Sequence, residues 1–444
     1  MTTQRSQLFI ISLLGALSVI SPFAIDMYLP AFQDLANQFD VPSTTISLTL
    51  SSYFVGLAIG QVVYGPLLDR FGRKKPLAVG LGLFVLASFG CAVAPNIATL
   101  VALRFVQALG GCVAQVASIA MVRDFFPARE AARVLSRLFL FIAVSPLLAP
   151  TIGSLVIEVA GWKAAFVALA GVVGAILALV YFLLPEGHTP DPDISLRPGP
   201  ILAEYLAIIR HPRFATYALA GAFSFAGLFT YVAGSPVLFM DGFGVTGREY
   251  SLIFALLAVG FIGGSQVNVI LLRRSSSEVL FLRFLVAQVV AGSVFLAGSL
   301  MGGYGLGGTL VLLFVFLSCV GITNPNASAL AIGPFTKNAG SASALLGFFQ
   351  LGIGAVISTG ISGTTTHDSR PIIAILAGTA AAGLVILWMG RKRARTSSAT
   401  EEPPPVIEPG RGTDTPGEDG PDQGRVFHAS GAPEVPVRRS VEDW

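Results

Sequence analysis

Charged residues fill only 12% of the 444 positions, about half the share an ordinary soluble domain carries. That shortfall excludes a soluble globular enzyme, a disordered scaffold and a nucleic-acid binder. The net charge of +3 is too small to imply a polyanionic partner. Cysteine is almost absent. Cys91, Cys112 and Cys319 each lie in an apolar stretch and none in a C-x-x-C spacing, which argues against a disulfide framework or a thiolate metal site. The histidines, His188, His211, His367 and His428, fall in loops or the tail. No phosphate-cradling G-x-x-x-x-G-K-[ST] occurs, so the chain lacks an ATP engine of its own. With no nucleophile–base pair or metal-ligand cluster in the apolar runs, no enzyme, metal site or cofactor is expected.

What is present is apolar: 53% of residues are hydrophobic. A hydrocarbon core about 30 Å thick takes roughly 20 apolar residues per helix. Twelve such windows can be drawn, at 8–29, 46–68, 76–95, 98–122, 134–157, 163–184, 214–238, 250–272, 279–301, 304–323, 340–362 and 371–390. The first is too long for a signal peptide and has no small-residue cleavage site. Sixteen Lys and Arg residues sit at the N-terminus and in the even-numbered loops, against three (Lys163, Arg248 and Arg370) on the other side. This asymmetry predicts a multi-pass protein of the cytoplasmic (inner) membrane with both termini cytoplasmic.

The longest internal loop divides the chain into a six-helix bundle at 1–184, a cytoplasmic linker at 185–213 and a second six-helix bundle at 214–390. Residues 391–444 hold 18 of the 53 charges, are rich in Pro and Gly, and read as a disordered cytoplasmic tail. An offset of 204 sets SLTLSSYFVGLAIG (47–60) against SLIFALLAVGFIGG (251–264), and a slightly larger one sets 99–118 against 309–328. Parallel repeats of six spans point to a secondary transporter handling its substrate near the midplane.

The sharpest motif is GPLLDRFGRKKPL at 65–77. It resembles the G-x-L-x-D-R-x-G-R-[KR] signature of the major facilitator superfamily through Gly65, Leu67, Asp69, Arg70, Gly72, Arg73 and Lys74. The resemblance implies a latch that holds the cytoplasmic gate closed, with Asp69, Arg70 and Arg73 as its charged parts and the start of the eleventh span, near Gly340, as its receptor. Gly65 would allow close helix approach and Gly72 a tight turn.

An ionisable residue inside a span is a functional candidate by default. Asp26 lies in the first span, about four residues from Pro30 and the outer boundary, roughly 6 Å deep. Arg104 in the fourth span lies at similar depth. Two isolated opposite charges in one bundle are expected to share a cavity. The aligned second-half positions are Thr230 and Phe314, so the repeat's packing requires neither charge.

D-x-Y-L-P-A at 26–31 and R-F-x-Q-x-x-G at 104–110 are similar to signatures of the Bcr/CflA drug:proton antiporters. The resemblance gives Asp26 and Arg104 to proton coupling, and Asp26, Tyr28, Arg104 and Gln107 to substrate binding. Desolvation and nearby charge both change a carboxylate's affinity for its proton, so opening or filling a cavity can drive uptake and release. In the fifth span, Pro146, Pro150 and Gly153 match the Gly/Pro-rich antiporter motif, with Ala149 and Ser154 replacing family glycines. Tyr231 joins the substrate-binding set from the seventh span, beside Phe225 and Phe229 at i, i+4 spacing. Gln61, Gln115, Asn268, Asn324, Asn326 and Gln350 are expected to hydrogen-bond between helices.

The reading is an all-α membrane protein of twelve spans. It is expected to export small amphipathic compounds in exchange for protons, to act as a monomer in the lipid bilayer, and to need no nucleic acid. Export or facilitated diffusion of an amino acid or sugar, and a transporter-derived sensor, stay open as alternatives.

Overall fold

In the computed structural model, twelve helices of the described chain are long and apolar enough to cross a membrane. The described residues are 4–187, 190, 198–302, 304–335, 338–363 and 369–400. In order the spans are Gln7–Phe39, Ser43–Phe71, Lys74–Ala92, Ile97–Phe125, Arg133–Ala160, Trp162–Leu183, Pro212–Asp241, Gly247–Leu271, Ser277–Leu300, Leu306–Ile332, Ala339–Ser362 and Arg370–Ala394, here spans one to twelve. A helix satisfies its own backbone polar groups, which a hydrocarbon environment demands. Caps start several spans: the Asn96 side chain accepts from Thr99 N at span four, and Thr246 with Glu249 forms a capping box at span eight.

Four features depart from the sequence reading. Span one does not stop at Pro30. That proline opens a 3-10 turn at Leu29–Ala31, where its missing N–H costs little, and the helix resumes over Phe32–Phe39. Asp26 therefore lies thirteen residues from the end of the span rather than four, on the order of 20 Å inside it. Span ten runs past 323 to Ile332 through Asn324-Pro325-Asn326, where amides of neighbouring helices bond to both asparagines. Asn326 donates to Asn268 Oδ1 on span eight at 2.6 Å, and Gln350 on span eleven donates to Asn324 Oδ1 at 2.9 Å. The expected linker loop contains a helix, Pro198–Arg210. Residues 391–400, assigned to the disordered tail, continue the last helix to Thr400; residues 401–444 of that expectation lie outside the described residues.

Spans one to six and seven to twelve meet along two seams, span two against span eleven and span five against span eight. The basic loops define one end of the molecule. Toward the opposite end, buried side chains of both halves form one continuous apolar cluster that includes Tyr28, Phe54, Phe229 and Tyr250. Toward the basic end the core separates into one cluster from the first half, around Leu57, Leu81 and Val113, and another from the second, around Phe214, Phe281 and Leu330.

Candidate functional site

Arg104 is fully buried in span four, and its surroundings are aromatic. Its guanidinium carbon lies 4.1 Å from the centroid of the Tyr53 ring, 4.6 Å from that of Tyr28 and 5.8 Å from that of Phe166. One terminal nitrogen donates to Gln107 Oε1, and Gln107 Nε2 donates in turn to Ser88 Oγ at 2.7 Å. Nε and the other terminal nitrogen have no hydrogen-bond partner. Tyr28 is held in the cage by a 2.6 Å hydrogen bond shared with Thr49 and by its packing on Phe32 and Phe166. Ring faces attract a desolvated cation by about 2 kcal/mol at best, so they offset only part of the cost of burying a guanidinium.

Asp26 is not part of this arrangement. Arg73 forms ion pairs with Asp69 and Asp124, whereas Asp26 and Arg104, expected to share a cavity, form none with each other. Helix geometry explains the failure. Residues two apart on a helix point to nearly opposite sides, and Tyr28 is the residue turned toward Arg104. Asp26 is therefore directed away from Arg104, and Tyr231 of span seven and Tyr250 of span eight, in the other half, lie within electrostatic range of it. It is 5% exposed, and no hydrogen bond or ion pair reaches its carboxylate among the described residues.

Tyr231 stacks on Phe254 at 5.3 Å and its hydroxyl is buried without a partner. Tyr250 shares a 2.8 Å hydrogen bond with Ser235. Phe229 packs on Phe54 of span two at 4.6 Å, so one aromatic of the span-seven set bridges the halves.

Span five supports the Asp26 segment from behind. A Cβ on Gly153 would run into the carbonyl of Met27, so only glycine lets the two backbones approach this closely. Pro146 deprives the Ile142 carbonyl of its helical donor, and Ser145 Oγ supplies a replacement at 2.8 Å. The carbonyl of Pro150 accepts from Ser251 of span eight at 3.0 Å, a bond between the halves. Three others join them: Gln33 to Asp241 at 3.0 Å, Ser47 to the Ala233 carbonyl at 3.1 Å, and Ser358 to the Ser47 carbonyl at 3.1 Å. All four lie toward the end away from the basic loops.

At the basic end, Arg73 bridges two acids, with one terminal nitrogen on Asp69 and Nε on Asp124 at 2.8 Å. Burial alone would weaken the guanidinium's hold on its proton, but the bonds and charges of Asp124 and Asp69 outweigh it and raise the Arg73 pKa above the arginine value. Gly72 has φ +81°, which favours glycine. The next two backbone N–H groups, of Arg73 and Lys74, both donate to the Glu186 carboxylate at 2.8 and 3.2 Å. Gly65 differs from expectation: nothing lies within 4 Å of where its Cβ would be. The close approach in span two belongs to Gly56, whose Cβ would stand 2.7 Å from the Phe105 carbonyl. No hydrogen bond to span eleven is made by Asp69, which is 46% exposed. Arg70 stands over the Phe71 ring, 5.8 Å from its centroid.

Several of these residues escaped the sequence reading. Tyr53, Ser88 and Phe166 gave no signal among so many apolar neighbours. Glu186 and Asp124 could have been noticed as acids at an end otherwise dominated by arginine and lysine.

Two six-span halves that close on one end around buried charges define a membrane transporter body. A family model described as Major Facilitator Superfamily matches residues 14–359. The chain belongs to that superfamily, whose members are transporters, and is a multi-pass membrane protein. It is 33% identical over 384 residues to an uncharacterized MFS-type transporter, YdgK, of Bacillus subtilis, covering 84% of this chain and 94% of that one. It is 29% identical to a bicyclomycin resistance protein homolog of Haemophilus influenzae, with the same coverage. A third relative, the multidrug resistance protein MdtL of Escherichia coli, is 31% identical over 76% of this chain and 84% of its own. Among solved structures, a D-xylose-proton symporter superposes with a TM-score of 0.66 at 15% identity, covering 87% of this chain and 97% of that one; this likeness shows the fold alone.

Proposed function

We propose that this transporter exports small amphipathic compounds or drugs in exchange for protons. It would sit in the cytoplasmic membrane with its basic end and both termini inside. The observation that carries the proposal is Asp26, a carboxylate 5% exposed, without a hydrogen bond or counter-ion, at the meeting of the halves. An acid largely withdrawn from water and from any cation favours its protonated form. The acid takes up its proton when the far end is open to the outside and gives it up to the inside when a compound enters from the basic end, so that a proton comes in as the compound leaves. Drug-resistance relatives that match most of the chain support the substrate class.

With the basic end inside, the conformation described above is inward-facing, sealed on the outside by the four bonds between the halves. Asp26, Tyr28 and Tyr231 line the route that substrate and proton share, and Arg104 with Gln107 fixes the cage beside it. In this conformation the Asp69–Arg73–Asp124 bridge is disengaged from span eleven; on closure of the basic end, span eleven comes to it. Reconstituted in proteoliposomes, the Asp26→Asn variant is expected to lose efflux driven by a pH gradient while retaining its fold. Proton-driven efflux at the wild-type rate in that variant overturns the proposal.

A further inference from the structure

At the basic end of the second half, a cleft of about 100 Å³ opens between spans seven, nine and twelve. Tyr217 forms its buried floor, Leu282 and Leu387 its apolar walls. Two arginines line it, Arg283 from span nine and Arg391 from span twelve, together with Glu278 from the first turn of span nine. Neither arginine is ion-paired with Glu278, although all three line the same small space. None of these residues is needed for the central site.

The cleft opens onto the outer surface of the bundle. Val279, Val286 and Val290 continue along one face of span nine and are 39%, 41% and 56% exposed. On span twelve, Trp388, one turn before Arg391, is exposed at 80%. A strip of exposed apolar side chains thus leads away from a pair of guanidiniums at the level where a membrane's headgroups begin.

We propose that this cleft binds the headgroup of a phospholipid, with its acyl chains along the exposed faces of spans nine and twelve. A phosphodiester carries one negative charge, and paired guanidiniums recognise its oxygens through forked hydrogen bonds. Glu278 then accepts from a donor on the headgroup, a glycerol hydroxyl or an ethanolamine ammonium. Phosphatidylcholine offers neither O–H nor N–H there and binds more weakly. A soluble phosphate would gain nothing from the apolar strip, which at about 25 cal/mol per Å² favours an occupant with chains.

Native mass spectrometry of the detergent-solubilised full chain tests the proposal, using phosphatidylglycerol, phosphatidylethanolamine, phosphatidylcholine and inorganic phosphate as probes. The expected result is retention of phosphatidylglycerol or phosphatidylethanolamine, with at least tenfold weaker binding in the Arg283→Gln/Arg391→Gln double variant. The Arg283→Lys/Arg391→Lys variant, which keeps both charges, should recover part of that loss and serves as a control for folding. Arg137→Gln, which removes a charge from the basic end of the other half, should leave binding unchanged. Equal lipid binding in the double Gln variant, an equal loss in Arg137→Gln, or displacement of the lipid by inorganic phosphate at matched concentration each overturns the proposal.

Discussion

The cage around Arg104 makes a quantitative prediction about where that buried charge gets its stability. Tyr53, at 4.1 Å, and Tyr28, at 4.6 Å, offer the closest rings, and each desolvated ring face contributes about 1–2 kcal/mol. The charged bond to Gln107 contributes roughly 1.5–3 kcal/mol. Burying a guanidinium costs several kcal/mol, so the two sides nearly cancel. Arg104→Met should therefore alter stability by less than about 2 kcal/mol in either direction. The sharper measurement is coupling. In a double-mutant cycle read by denaturation in mixed micelles, Arg104→Met and Tyr53→Leu should couple by about 1–2 kcal/mol. Arg104→Met and Asp26→Asn should couple by less than about 0.5 kcal/mol, because no bond joins them. A larger coupling to Asp26 than to Tyr53 would refute the reasoning and restore the ion pair that the spacing of the charges suggests.

Two further outcomes follow from close packing within the first half and from a bond between the halves. Gly153→Ala puts a methyl group against the Met27 carbonyl, and overpacking of this kind costs about 1–3 kcal/mol; a lower thermal midpoint together with slower efflux is expected, and no change in either would show that spans one and five are not locked there. Gln33→Ala removes one of the bonds closing the end away from the basic loops, which at roughly 1 kcal/mol for a half-exposed bond shifts the equilibrium toward opening at that end by about fivefold. Spin-label distances between the ends of spans one and seven, at that end, would lengthen; an unchanged distance distribution excludes a gating role for Gln33 and Asp241.

Hydrophobic length made the twelve spans legible, since a run of about 20 apolar residues has few other uses. It misled wherever a proline or amide cluster imitated a boundary. Pro30 looked like the end of span one, and Asn324-Pro325-Asn326 like the end of span ten. Both are carried inside helices, one through a 3-10 turn and the other where amides on facing helices bond to it. Gln350, Asn268, Asn324 and Asn326 do form the interhelical hydrogen bonds expected of them.

The candidate site was legible as a list of residues but not as an arrangement. Asp26 and Arg104 stand out in any count of charges inside spans, and equal depth made pairing the natural inference. Depth is one coordinate of a helix, however, and angle is the other. The angle was already present in the spacing of Asp26 and Tyr28: a side chain two positions from one that faces Arg104 must face elsewhere. The same rule explains why the acid and the base of one half can serve different surfaces. Arg104 is enclosed by rings of its own bundle, whereas Asp26 lies within electrostatic range of tyrosines of the other. A charge that lies near the opposite half gains or loses its surroundings whenever the halves rock apart, and one enclosed within its own half does not. In the exchange proposed above, that difference assigns the sensing of the conformational cycle to Asp26 and leaves Arg104 as part of the frame against which it moves.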